Sequence, residues 1–297
     1  LVLSVFGTLP LMFSEATNLV FIDALFESVS GLTTTGATVL SGLDNLPKSI
    51  LYYRQQLQWL GGIGIIVVAV AILPMLGVGG MQLYRAETPG PSKDSKLTPR
   101  ITETAKALFS VYLLLTIACA IAYYAVGMSG FDAIAHSFST VSLAGFSTHD
   151  ESLGFFKSDA VLVVASVFMF ISSINFGLHF MAWRRGSVAS YRKDSETRFY
   201  TAAVLACMLI TIYCLIIWDI HGHKDSILHG VFQVLSIITT TGFSTGNLSV
   251  WPIALPIMAI FFSCMGGCVG STTGGIKAMR VMLIYKQVLR ELQQLLH

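Results

Sequence analysis

The chain reads Asp23-Ala-Leu-Phe-Glu-Ser-Val-Ser-Gly-Leu-Thr-Thr-Thr-Gly36 near its start, and two later segments align with this stretch without gaps. They are Asp132-Ala-Ile-Ala-His-Ser-Phe-Ser-Thr-Val-Ser-Leu-Ala-Gly145 and His229-Gly-Val-Phe-Gln-Val-Leu-Ser-Ile-Ile-Thr-Thr-Thr-Gly242. The final glycines are spaced about a hundred residues apart, so the chain is a tandem array of one structural unit.

Apolar stretches surround each copy of this segment. Of 297 residues, 54% are apolar and 11% are charged, whereas soluble domains carry about 25% charged residues. No charged residue occurs in residues 55–84, 107–131, 160–183, 199–218 and 226–276. A bilayer core takes about 20 apolar residues per helix, so the first four stretches each predict one spanning helix. The fifth is too long for one crossing and has to fold back. We therefore predict an all-α polytopic membrane protein.

The repeated segment predicts a short helix followed by a turn at membrane depth. Irregular backbone is tolerated there only where it is buried in protein or lines a water-filled cavity. The short helix ends with partial negative charge, which favours a cation, and the backbone carbonyls of the turn can replace the hydration shell of an ion. Three such turns in register predict a pore with a tandem helix–pore helix–helix architecture of the potassium-channel type.

Most of the 18 basic residues lie in three clusters, in the two long connections and after the last apolar run. Cytoplasmic loops carry an excess of Lys and Arg, so these clusters predict the cytoplasmic side. All three turns then enter the membrane from the same side. Carriers commonly use inverted repeats instead, and an enzyme needs a convergent set of catalytic groups, which this sequence lacks. We expect no enzymatic activity.

At these residues the chain resembles the Trk/Ktr/HKT superfamily of potassium transporters, and within it the TrkH-type bacterial subunits. The resemblance lies in Ser30-Gly-Leu-Thr-Thr-Thr-Gly-Ala-Thr38, Met81-Gln-Leu-Tyr-Arg-Ala-Glu-Thr-Pro-Gly-Pro91, Gly145-Phe-Ser-Thr-His149 and Gly266-Gly-Cys-Val-Gly-Ser-Thr-Thr-Gly-Gly-Ile-Lys277. It implies four pore repeats around one pore and additional N-terminal helices. Only three filters occur in this sequence, so we expect that the fourth repeat and the N-terminal helices are missing.

The resemblance also implies the site residues. K⁺ is expected at the backbone carbonyls of the two residues before each filter glycine, and the filter set is Thr34, Thr35, Gly36, Leu143, Ala144, Gly145, Thr240, Thr241 and Gly242. Leu143 and Ala144 have no hydroxyl, which favours coordination by carbonyls. Each repeat has one filter glycine where potassium channels have two, so selectivity over sodium is expected to be weaker.

Glycines interrupt the last apolar run and disfavour a continuous helix there by about 1 kcal/mol each. Spacing argues against a phosphate-binding loop, because Ile276 stands between Gly275 and Lys277. The resemblance implies an intramembrane gating loop at Gly266, Gly267, Gly270, Ser271, Thr272, Thr273, Gly274 and Gly275. Close helix packing through small residues is the alternative.

The repeats predict the organisation of the chain. Pore repeat 1 is expected at residues 1–83 with a truncated first helix, repeat 2 at 101–184, and repeat 3 with an interrupted final helix at 199–297. Cytoplasmic connections are expected at 84–100 and 185–198.

The resemblance further implies a pore-forming potassium uptake subunit in the inner membrane of a bacterium. K⁺ would be the transported ion, with no organic cofactor in this chain. Partners would be a second copy in a homodimer, a nucleotide-binding cytoplasmic ring of the TrkA type and the lipid bilayer, with no nucleic acid. A carrier of another cation or small solute, a sodium-permeable HKT- or Ktr-like transporter, and coupling to protons or sodium remain open at this point.

Overall fold

The computed structural model describes residues 2–67, 101–218, 222–246, 251 and 254–295. These residues form twelve α-helices: α1 Val2–Met12, α2 Phe21–Leu32, α3 Lys48–Val67, α4 Ile101–Ala125, α5 Gly130–Ser142, α6 Asp159–Ser172, α7 Phe176–Arg185, α8 Ala189–Lys193, α9 Ser195–Ile217, α10 Gly222–Ile238, α11 Ala254–Cys264 and α12 Ala278–Leu295. Two short 3₁₀ helices lie at Leu43–Asn45 and Ser152–Phe156. The described residues contain no β-strand, and the predicted all-α architecture is confirmed.

Three helices are short and end at the repeated glycine turns: α2, α5 and α10, called the pore helices below. Each pore helix packs against the helix before it and the helix after it. In addition, α3 packs against the pore helix of the second repeat, and α6 packs against that of the third. These inter-repeat contacts place the three repeats side by side in chain order.

Two of the described helices are long and apolar enough to cross a membrane by themselves, over Ala105–Ala125 and Ser195–Ile217. The latter begins before residue 199, the predicted start of the third repeat, because Asp194 caps the helix by accepting from Thr197 N at 2.7 Å. The connection at 84–100 and the end of the stretch at 55–84 lie outside the described residues.

The spanning helix predicted over 160–183 is not continuous in the structure. Instead, α6 ends at Ser172 and α7 begins at Phe176, with a bend of 92° between them. Asn175 caps the second helix, its Oδ1 accepting from Gly177 N at 2.7 Å, and Ser173 O accepts from Cys268 N at 2.9 Å. Because these groups find partners at the break, the polar backbone there stays satisfied.

The stretch at 226–276 folds back, as predicted. It contains the end of α10, a filter turn, the 11-residue α11 and a loop before α12. A buried core lies between the second and third repeats and includes the fully buried rings of Tyr112, Tyr123, Phe176, Phe232 and Phe243. This core supports the turns described next.

Candidate functional site: three filter turns and a Gly-rich loop

Residues 33–36, 142–145 and 239–242 form three turns, called the first, second and third filter turns. In each, two residues have positive φ: Thr34 (56°) and Gly36 (77°), Leu143 (55°) and Gly145 (82°), and Thr240 (58°) and Gly242 (85°). Residues other than glycine rarely adopt this conformation. The first and third turns share the sequence Thr-Thr-Thr-Gly, whereas the second is Ser-Leu-Ala-Gly, so the geometry does not depend on the threonines.

The pore helices end in the same way. The residue before each glycine donates its N–H to the carbonyl of the serine at the same repeat position, with distances of 2.9 Å for Thr35 to Ser30, 3.0 Å for Ala144 to Ser139 and 2.9 Å for Thr241 to Ser236. A left-handed residue with such a bond is a common way to end a helix. The repeated serine therefore contributes its main-chain carbonyl to the turn.

Neighbouring filter turns approach each other closely. A Cβ atom added to Gly36 would lie 1.8 Å from Ala144 O, and one added to Gly145 would lie 1.9 Å from Thr241 O. Each of these carbonyls thus lies against the glycine of the preceding repeat. Ala144 and Thr241 are both residues that the sequence predicts as ion ligands. Gly242 has no other atom of the described residues within 4 Å of such a Cβ.

The threonine hydroxyls beside the glycines are engaged within their own turns. Thr33 Oγ1 donates to Val29 O at 2.7 Å, so the 2.7 Å contact between Thr33 and Thr35 is a donation from the Thr35 hydroxyl. The equivalent bonds in the third turn are 2.6 Å from Thr239 to Leu235 O and 2.7 Å between Thr239 and Thr241. The protons of these hydroxyls are thus used within the turns.

Polar residues on the pore helices hold the backbone that follows each glycine. Thr38 Oγ1 donates to Glu27 Oε1 at 2.9 Å and Val39 N donates to Oε2 at 3.1 Å. In the second repeat, His136 occupies the position of Glu27 and its Nε2 lies 2.9 Å from Ser147 Oγ. These two side chains therefore position the exits of the filter turns.

In the second and third repeats, the threonine three residues after the filter glycine also bonds to a side chain of the pore helix. Thr148 Oγ1 donates to Asp132 Oδ1 at 2.8 Å, and Thr245 Oγ1 lies 2.9 Å from His229 Nδ1. Asp132 also accepts from the helix-capping Ser129 hydroxyl at 2.7 Å. The carboxylate thus bonds both to the cap of its own helix and to the filter exit.

Arg54 on α3 is fully buried and links two filter exits. Its Nε donates to Glu27 Oε1 at 2.6 Å, and neither side chain is exposed. Its Nη2 donates to Thr38 Oγ1 at 3.0 Å and its Nη1 to Ser147 O at 3.3 Å, while Cζ lies 4.3 Å from the centre of the Phe146 ring. A buried charge is tolerated where it is paired and hydrogen bonded in this way.

Gln58 follows Arg54 by one helical turn and brackets Gly145. Its Nε2 donates to Ala144 O at 3.0 Å, and its Oε1 accepts from Phe146 N at 3.3 Å. Sequence reasoning missed Arg54 and Gln58. The signal was a cation and an amide four residues apart on one face of an apolar helix.

The third filter turn is also supported by the repeat before it. Ser244 N donates to Ser152 Oγ at 3.2 Å, and Gly154 N donates to Ser244 O at 3.2 Å. Both partners lie in the 3₁₀ helix of the second repeat. The exits of the second and third turns are thus each held by the preceding repeat.

His149, after the second filter turn, forms an ion-pair contact with the half-exposed Asp44 of the first repeat. Its ring stacks on Phe155, with the ring centres 3.5 Å apart. The hydrogen bond from His149 lowers the pKa of the Asp44 carboxyl from its ordinary value. This pair joins the connections that follow the first two filter turns.

The Gly-rich loop, residues 265–277, is closed at its base by main-chain bonds. Gly266 N donates to Ile276 O at 2.8 Å, and Ala278 N donates to Gly267 O at 3.0 Å. Of the predicted gating residues, Gly266, Gly267, Ser271, Thr272 and Thr273 are buried, Gly270 is half-buried, and Gly274 and Gly275 are exposed.

Further bonds attach this loop to the second and third repeats. Thr272 Oγ1 donates to Val141 O at 3.1 Å, and Gly274 N donates to Thr240 Oγ1 at 2.8 Å. At the break between α6 and α7, Phe176 N donates to Gly270 O at 3.0 Å. The loop therefore contacts the end of one pore helix and the filter turn of the next.

Contacts between neighbouring turns, and bonds from the loop to the second and third repeats, thus bring the predicted filter and loop residues together. Among the described residues, no group of three or more His, Cys, Asp or Glu side chains is arranged to hold a metal ion. The chemistry that the arrangement offers is carbonyl coordination of a weakly held cation.

The chain is similar to known transport proteins over its whole length. The TrkH family model, described as cation transport protein, matches residues 1–297. The chain is 55% identical over 296 residues to the Trk system potassium uptake protein TrkH of Halomonas elongata, covering 100% of this chain and 61% of that protein. It is 51% identical over 299 residues to the TrkH protein of Escherichia coli K12, covering 100% of this chain and 62% of that protein.

Among solved structures, the crystal structure of the potassium transporter TrkH from Vibrio parahaemolyticus matches with a TM-score of 0.89 and 48% identity. That match covers 100% of this chain and 60% of the other. The chain therefore spans about three fifths of the length of the relatives that it matches.

Proposed function

The chain belongs to the TrkH family of cation transport proteins, and from this premise we propose that it supplies three repeats of a potassium-conducting pore. The observation that carries the proposal is the shared backbone of the filter turns, each with a left-handed residue two places before a left-handed glycine. Such turns direct carbonyls that can replace the water around K⁺. The pore-helix ends add partial negative charge near them.

The proposed ion ligands are the carbonyls of Thr34, Thr35, Leu143, Ala144, Thr240 and Thr241, with the three filter glycines permitting the turn. The close approach of Ala144 O to Gly36 and of Thr241 O to Gly145 supports this assignment, because it brings a proposed ligand of one repeat against the filter glycine of the preceding repeat. K⁺ is the cargo of the protein in this proposal, and no catalytic reaction is involved.

The Gly-rich loop is the proposed gate. Its bonds to Val141 O and Thr240 Oγ1 support this role, because they hold it against the end of the second pore helix and against the third filter turn. Opening requires these bonds and those at the α6–α7 break to be exchanged. A loop held chiefly by main-chain and hydroxyl hydrogen bonds can make such an exchange at less cost than interlocked apolar side chains.

The proposal also covers the membrane that holds the pore and the proteins that assemble with it. The relatives carry the name of a potassium uptake system, which supports a multi-component assembly in a bacterial inner membrane. We propose a homodimer with a TrkA-type nucleotide-binding ring on the cytoplasmic side. The three repeats would be residues 1–83, 101–184 and 199–297, joined by cytoplasmic connections.

The test is ion flux through the complete protein reconstituted in proteoliposomes. Uptake of K⁺ and Rb⁺ should exceed uptake of Na⁺ under an equal gradient, and serine at Gly36 or Gly145 should reduce that preference. Deletion of residues 267–273 should raise basal flux with the ion preference retained. A protein that folds and inserts but moves Na⁺ as readily as K⁺ would remove the filter assignment.

A further inference from the structure

Glu196 makes a contact that neither the filter nor the helix ends explain. It lies in the first turn of α9, and its residue is only 4% exposed. One oxygen of its carboxylate, Oε1, accepts from Val269 N at 2.8 Å and from Met279 N at 3.1 Å. These two donors flank Gly270, Gly274 and Gly275 of the Gly-rich loop.

Capping of α9 does not account for this position. The cap is Asp194, whose Oδ2 accepts from Thr197 N at 2.7 Å. Glu196 instead satisfies two main-chain N–H groups that come from a distant part of the chain. Burial of a carboxylate is costly unless it is hydrogen bonded, and bonds to an ionised acceptor are about twice as strong as neutral ones.

Both bonds end on the same carboxylate oxygen, and this limits how the loop can move. The segment between Val269 and Met279 contains Gly270, Gly274 and Gly275 and the residues bonded to the filter region. While both bonds persist, its two ends stay fixed to α9 and to each other. A displacement of the segment relative to α9 has to break at least one of the bonds.

We propose that Glu196 is a positioning residue that clamps the segment from Val269 to Met279, which holds the last three glycines of the Gly-rich loop, and so keeps the loop in the blocking position. The inference rests on the proposed role of the loop as a gate. Glu196 also follows closely after α8, which packs against α9 and belongs to the predicted cytoplasmic connection at 185–198. Movement of that connection by a cytoplasmic partner would therefore act on the clamp directly.

The variants that test the clamp are Glu196→Ala, which removes the acceptor, and Glu196→Gln, which keeps an oxygen of similar position but removes the charge. Asp194→Asn is the matched control, because it removes a neighbouring carboxylate while asparagine still caps the helix. Hydrogen–deuterium exchange at the amides of Val269 and Met279 reports the clamp independently of transport. Basal Rb⁺ flux without any cytoplasmic partner reports the gate.

We expect Glu196→Ala to accelerate exchange at both amides and to raise basal flux severalfold, with an unchanged ratio of K⁺ to Na⁺ uptake. Glu196→Gln should fall between this variant and the parent, and should supply the answer if the alanine variant does not fold. Asp194→Asn should leave flux as in the parent. Unchanged exchange at Val269 and Met279 in both Glu196 variants overturns the clamp.

Ion flux through the variant that lacks residues 267–273 tests the gate separately from the clamp. If exchange accelerates but flux stays constant, while deletion of residues 267–273 does raise flux, the clamp does not control the gate and the inference is wrong. If that deletion also leaves flux unchanged, the failure lies in the gate assignment itself.

Discussion

The main-chain N–H of Gly274 donates to the hydroxyl of Thr240 at 2.8 Å, which joins the Gly-rich loop directly to the third filter turn. Thr240 is also the left-handed residue of that turn, with φ of 58°. The side chain that contacts the loop and the backbone that is proposed to bind the ion therefore belong to one residue. Release of the loop removes a support from the filter.

Thr240→Val should loosen the loop while preserving the shape and β-branching of the side chain. We expect higher basal flux, because Gly274 N loses its acceptor, with K⁺ preference close to that of the parent, because carbonyls line the turn. The measurement is Rb⁺ and Na⁺ uptake in the reconstituted complete protein. Thr34→Val is the control at the equivalent position, since the described bonds of the loop go to the second and third repeats. Equal effects of the two substitutions would contradict the loop contact.

Gly36→Ser and Gly145→Ser should both reduce discrimination between K⁺ and Na⁺. The left-handed conformation alone costs a side chain about 1 kcal/mol. Here the added Cβ would also meet a carbonyl oxygen at 1.8 or 1.9 Å, so the neighbouring turn has to move. Relative uptake of the two ions and the midpoint of thermal unfolding are the measurements.

Gly42→Ser separates these two costs. Gly42 has φ of 70°, but the nearest atom to an added Cβ is Asn45 Nδ2 at 4.0 Å. The substitution should carry the conformational cost without the collision. We expect parental ion preference in this variant, and a loss as large as that of Gly36→Ser would show that strain, rather than displaced carbonyls, is responsible.

Gln58→Leu should lower ion discrimination through the second filter turn. It leaves Ala144 O and Phe146 N without the bonds that bracket Gly145, and a buried unpaired group costs roughly 1–3 kcal/mol. Gln55→Leu is a matched control on the same helix, because the side-chain nitrogen and oxygen of Gln55 are buried without a partner among the described residues. Selectivity should fall in the Gln58 variant alone, as measured by competitive uptake of the two ions.

Arg54→Met should destabilise the protein strongly, because Glu27 would remain as a buried charge. Breaking one side of a buried ion pair typically costs about 3–5 kcal/mol. The double variant Arg54→Met with Glu27→Gln removes both charges and should recover much of that loss. Thermal unfolding in detergent gives the comparison, and a double variant less stable than Arg54→Met would contradict the pairing.

The sequence was sufficient for the repeat register and for the folding back of residues 226–276. Both depend on local rules: a glycine-centred turn follows each short helix, and a long apolar stretch has to return within the membrane. The bend between α6 and α7 was missed because its stabilising partner, Cys268, comes from another repeat.

The side chains that support the site from other repeats were missed for the same reason. Arg54 reaches Ser147 across 93 residues, Gln58 reaches Ala144 across 86, and Glu196 reaches Val269 across 73. Such pairs carry no short-range pattern, because only packing between repeats brings them together. The filter could be located from local sequence, whereas the side chains that hold it in shape required the fold.

The exits of the second and third filter turns are held from one direction, by Arg54 and by Ser152 of the repeat before. A chain is synthesised from its N-terminus, and its units generally fold in that order. Each repeat therefore emerges after the surface that shapes its turn already exists. At these two exits biogenesis and architecture share one polarity, so an error in one repeat is transmitted to the filter turn of the repeat that follows it.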